Sequence, residues 1–112
     1  MISSKYKDRI TLYLSERFNF PEEQVVVMLP EFMSTLSSHM QSLEEANKEK
    51  KLADLAKAGH TLKGAFLGLG LSECAEIAMN LEKSARSSDD SVDYSALVAN
   101  LRLVVNDIVN EN

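Results

Sequence analysis

Tryptophan is absent from this chain of 112 residues, cysteine occurs once, proline twice and glycine four times. Each scarcity removes a class of protein. One cysteine, Cys74, cannot close an internal disulfide, which suits a reducing compartment, and its helical position reads as a buried, inert thiol rather than a nucleophile. With two scattered histidines it makes no zinc set. The longest uninterrupted apolar run, Val25 to Leu29, is far too short to span a bilayer. The start, Met1-Ile2-Ser3-Ser4-Lys5, lacks the apolar core of an export signal, so a cytoplasmic, free-standing protein is expected, with no membrane association. A basic surplus is missing too: the net charge of −5 argues against nucleic acid as a partner. Three closely spaced glycines, Gly64, Gly68 and Gly70, follow no strand and match neither G-x-G-x-x-G nor a P-loop, so no nucleotide loop is present.

What remains is the material of helices. Hydrophobic residues make up 45% and charged residues 26%, ordinary for a soluble globular protein, and the length suits a single domain over residues 1–112. Tyr6, Ile10, Tyr13, Leu14 and Phe18 fall at three-and-four spacing, the mark of an amphipathic helix. Asn19-Phe20-Pro21-Glu22-Glu23 reads as a break and restart. A second helix is expected from about Glu22 to Ala46, with Val25, Leu29, Phe32, Leu36, Met40 and Leu43 on one stripe. Pro30 inside it predicts a kink or two abutting helices. His39 beside that stripe reads as a surface or boundary residue.

A third helix, about Lys50 to Leu69, carries the stripe Leu52, Leu55, Gly59, Leu62, Phe66 and Leu69. Ser72 is a candidate N-cap for a fourth, about Glu73 to Arg86, with Cys74, Ile77, Ala78, Leu81 and Ala85 facing one way. After the loop Ser87–Ser91, a fifth is expected from about Asp93 to Asn110. No segment alternates with period two. The fold class is therefore all-α, an antiparallel up-and-down four-helix bundle with an additional N-terminal helix.

The third helix holds the candidate chemistry. At about 100° per residue, His60 lies roughly 130° from the leucine stripe and points outward or to the bundle's edge. Its neighbours on that face are Ala53, Ala56, Lys57, Lys63, Gly64 and Leu67, a face nearly bare apart from the lysines and Leu67. A free imidazole is a nucleophile near its pKa of about 6.5. If it attacks phosphorus, the added negative charge is offset by a lysine one turn away, where Lys63 stands, and glycine at position 64 removes a side chain that would crowd the incoming group. Lys57 and Lys63, with Lys50 and Lys51 nearer the helix start, make the face locally basic within an acidic protein, which suits docking to a carboxylate-lined pocket.

His60-Thr61-Leu62-Lys63-Gly64, then Gly70-Leu71, then the pattern A-x-x-A-x-x-L-E ending at Leu81-Glu82, together resemble the signature of histidine-containing phosphotransfer (HPt) domains. The resemblance is concentrated in these residues and compatible over the whole chain. It implies a four-helix bundle, often with an extra N-terminal helix, acting as a phosphocarrier of two-component phosphorelays and not as an autonomous enzyme. His60 would be the phosphorylated residue, through Nε2; Lys63 would steady the phosphoryl group; Gly64 would give the partner room. Ala53, Ala56, Lys57, Leu67 and Arg86 are the expected partner-binding residues. The implied partners are response-regulator receiver domains, one of them in a hybrid sensor kinase. The chain would need no cofactor of its own, the Mg²⁺ belonging to the partner receiver, and would work as a monomer. Two positions depart from the pattern: Phe66 stands where the family commonly has a small residue, and Glu82 where some members place a glutamine near the phosphohistidine. The residues also fit a bundle that binds a receiver or other signalling partner without carrying phosphate, or the phospho-accepting domain of a chemotaxis-type kinase.

Overall fold

A computed structural model describes residues 5–111, and among them the chain is helical, with no strand. The helices are α1 (Lys7–Phe18), α2 (Glu22–Lys48), α3 (Leu52–Gly68), α4 (Ser72–Arg86) and α5 (Tyr94–Asn110). α2 packs on α3 and α5, and α4 packs on α3 and α5, which closes a ring of four. The short connections at 49–51, 69–71 and 87–93 join neighbours in that ring, so successive helices run antiparallel, the expected up-and-down bundle. α1 lies across one end, packed on α2.

The core follows the three-and-four stripes. Ile10 and Leu14 of α1, Val25, Leu29, Met33, Leu36, Met40 and Leu43 of α2, Leu55, Leu62 and Phe66 of α3, Cys74, Ala78 and Leu81 of α4, and Leu101, Val105 and Ile108 of α5 are buried together. Met33, not Phe32, takes the fully buried place on α2; Phe32 is only partly covered. Burial pushes the Cys74 thiol up to about 11, so it is an un-ionised core residue at neutral pH. No helix among the described residues is long and apolar enough to cross a membrane.

Three helix ends share one device. Lys50, Gly70 and Ser88 each adopt left-handed backbone (φ 56°, 76° and 55°). The next residue then turns its N–H back into the last turn: Lys51 to the Ala46 carbonyl, Leu71 to Phe66, Asp89 to Ser84. Carbonyls that the helix end would orphan are thereby satisfied. Of the two outcomes expected at Pro30, abutting helices are corrected: α2 runs unbroken from Glu22 to Lys48, and Pro30 and Val26 are exposed, so water is at hand for the carbonyl that proline cannot bond. Ser72 is the first residue of α4 rather than its cap, Leu71 preceding it without a side-chain bond. Asp93 does cap α5, its Oδ1 accepting from the Ala96 N–H at 3.0 Å.

α1 is fastened at both of its edges. The Glu111 carboxylate accepts from the Tyr6 and Lys7 backbone N–H groups at 2.6 and 3.2 Å, so the far end of the chain caps the first helix. Arg9 donates to Glu73 at 2.7 Å, tying α1 to the first turn of α4. One turn beyond Arg9 the Tyr13 ring lies against Gly70, where a Cβ would come within 2.3 Å of the ring. Gly70 thus needs glycine twice, for its positive φ and for this approach. Gly70→Ala is expected to lose about 2–4 kcal/mol, combining the left-handed penalty and the overpacking. Urea unfolding measures it, and a loss below about 0.5 kcal/mol would show that the turn relaxes freely.

Candidate functional site

α3 and α4 meet closely at Gly59, where small residues face the seam between them. Gly59 is buried, and a Cβ there would lie 3.0 Å from a Leu81 methyl and 3.5 Å from the Ala78 carbonyl. This close approach sets α4 beside the outward face of α3 and brings Glu82 next to His60. The imidazole is 62% exposed, whereas the Glu82 side chain is only 8% exposed, and Glu82 is the buried charged residue among those described.

Three groups converge on that carboxylate. His60 Nδ1 stands 3.0 Å from Oε2, Arg86 Nη2 donates to the same Oε2 at 2.5 Å, and Lys63 Nζ lies 3.0 Å from Oε1. Burial acts to raise the Glu82 pKa, but the hydrogen bonds from Lys63, Arg86 and His60 outweigh it and hold the carboxyl below its ordinary value. Glu82 is therefore ionised at neutral pH. An ionised carboxylate only accepts, so the proton of a neutral His60 ring sits on Nδ1 and the lone pair is left on Nε2. The arrangement presents an exposed nucleophilic nitrogen whose tautomer is set from beneath.

The other expected site residues divide. Lys63 is close to His60 but already paired with Glu82, and it is only 22% exposed at its side chain. A Cβ at Gly64 would meet nothing within 4 Å, so no packing among the described residues requires glycine there. Ala53, Lys57, Leu67 and Arg86 are exposed. Ala56 is not: it is 4% exposed, because the α3–α4 seam is tight enough to swallow so small a side chain. Its expected part in a partner-binding surface is corrected to a core role, flooring a shallow recess with Ala85 between Lys57 and Arg86.

Glu82 is the residue that the sequence left undecided. The signal for it was a charge set in a stripe of small residues, Ala75, Ala78, Glu82 and Ala85, with Arg86 one turn on. Its partners His60 and Lys63 lie on another helix, out of reach of α4's own pattern. Among known protein families, the model of the Hpt domain matches residues 27–111, which leaves α1 and the first turn of α2 outside the match. Comparison with curated proteins and with solved structures gave no match.

Proposed function

The chain belongs to the Hpt domain family, whose members carry phosphoryl groups on histidine in phosphorelays, and from that membership we propose that His60 is its phosphoryl acceptor. The Nε2 lone pair attacks the phosphorus of an aspartyl phosphate on a receiver domain. The P–O bond to the aspartate breaks, its electron pair stays with the departing carboxylate, and the ring keeps its Nδ1 proton and becomes cationic. The reverse step, on a second receiver, forms a new P–O bond to that aspartate and returns the neutral imidazole. The receiver brings the aspartate and its Mg²⁺; the bundle brings the nucleophile and its setting.

The observation that carries this reading is the exposed imidazole whose Nδ1 is held 3.0 Å from a buried carboxylate. Lys63, one turn after His60 on α3 and paired with the same carboxylate, is the cation that offsets the added charge. Gly64 leaves the approach to Nε2 open, and exposed Ala53, Lys57, Leu67 and Arg86 surround it as the docking face. Incubation with a phosphorylated receiver tests the reading. Wild type should gain an acid-labile, base-stable label and His60→Gln none; equal labelling of the two proteins would overturn it.

A further inference from the structure

We propose that Glu82 is a positioning residue that keeps the phosphorylated His60 ring cationic, poising the carrier to release its phosphoryl group rather than to store it. The inference rests on the reading of His60 as the acceptor.

When a phosphoryl group leaves a ring that holds its Nδ1 proton, the N–P electron pair returns to Nε2 and neutral imidazole departs. From an unprotonated ring the leaving group would be an imidazolate anion, which is far poorer. The lifetime of the phosphorylated state at a given pH therefore depends on how firmly Nδ1 keeps its proton. Here Nδ1 faces the Oε2 of a carboxylate that is almost wholly withdrawn from water. Negative charge at hydrogen-bond distance, little screened by water on the carboxylate's side, attracts a ring that keeps its Nδ1 proton. The carboxylate also cannot turn away, since Lys63 occupies Oε1 and Arg86 shares Oε2.

The surrounding cations act the other way, but they are aimed at the carboxylate and not at the ring. On α3 the cations are Lys63 and the more distant, exposed Lys57; on α4 Arg86 contacts Glu82 directly. Among the described residues, no charged side chain of α1, α2 or α5 makes a hydrogen bond or ion pair with this cluster. Among the described residues Glu82 is thus the one negative group hydrogen-bonded to the ring, and its two cationic partners are aimed at the carboxylate. Removing Arg86 should strengthen the carboxylate's hold on the ring proton.

The test needs no receiver. Phosphoramidate labels the intact protein: Nε2 forms a bond to phosphorus, the donor's P–N bond breaks and ammonia leaves. Loss of the label to water, which yields inorganic phosphate and neutral imidazole, is followed by phosphorus NMR across the neutral and alkaline range. Gln at position 82 retains an acceptor oxygen for Nδ1–H, so the tautomer is kept and only the charge is lost. The profile of Glu82→Gln is expected to move down by about one pH unit, making loss on the alkaline side about tenfold slower than in wild type. Arg86→Ala should move it up.

Nitrogen NMR of phosphorylated wild type gives a second readout that no variant can spoil: the ring should still show the cationic signature at pH 8. Coinciding profiles for wild type and Glu82→Gln, or a neutral wild-type ring at pH 8, would overturn the inference alone. Absence of label on His60 would overturn it together with the reading beneath it.

Discussion

Gly64→Leu is expected to slow phosphoryl exchange with a receiver on the order of 100-fold, because displacing reacting atoms by about an ångström has effects of that size. The same variant should fold normally. A Cβ at position 64 meets nothing within 4 Å, so the new side chain projects into solvent from the turn that follows His60. Replacing a helix-interior glycine even adds about 0.5–1 kcal/mol of helix preference. Stability and transfer thus move in opposite directions, which separates a steric role from a structural one. Phosphoramidate supplies the control: being small, it should still label Gly64→Leu at a rate within a few-fold of wild type. Unimpaired exchange with the receiver would show that partners do not approach over this turn.

Phe66→Ala is expected to lose about 3–5 kcal/mol, the usual range for emptying a buried phenyl ring. Against the about 5–15 kcal/mol that holds a domain of this size together, such a loss brings the protein near unfolding. Phe66 is fully buried on α3, between the turn bearing His60 and Lys63 and the Gly70 corner on which Tyr13 rests. Its carbonyl also accepts the Leu71 N–H that closes the helix. Phe66 is thus the core anchor that the α3 stripe implies. Urea denaturation reads the loss, and a change under about 1 kcal/mol would mean that neighbouring side chains collapse into the space.

The helices were legible because their burial is periodic. Leu55, Leu62 and Phe66, or Leu101, Val105 and Ile108, repeat at three-and-four spacing and need only a partner surface to become a core. The outward position of His60 followed from the same arithmetic. What stayed hidden depends on residues far apart in the chain. Lys50 and Ser88 take left-handed backbone without being glycine, so composition does not mark those helix ends. Glu111 caps a helix that begins 104 positions earlier, which no local window contains. Ala56 stood at the margin of the α3 stripe and was drawn inside because small residues bring α4 close. Glu82 was visible as a charge in an apolar seam, yet its meaning came from His60 and Lys63 on the facing helix.

His60 as the one phosphoryl acceptor is the claim on which the remaining argument stands. Mapping the modified residue tests it most directly: wild type, His60→Gln and Glu82→Gln are treated with phosphoramidate or a phosphorylated receiver, digested at alkaline pH and sequenced by tandem mass spectrometry. The account predicts a single acid-labile phosphoryl group on His60 in wild type and Glu82→Gln, and none in His60→Gln. A label on His39 or on a serine, or equal labelling of His60→Gln, would contradict it.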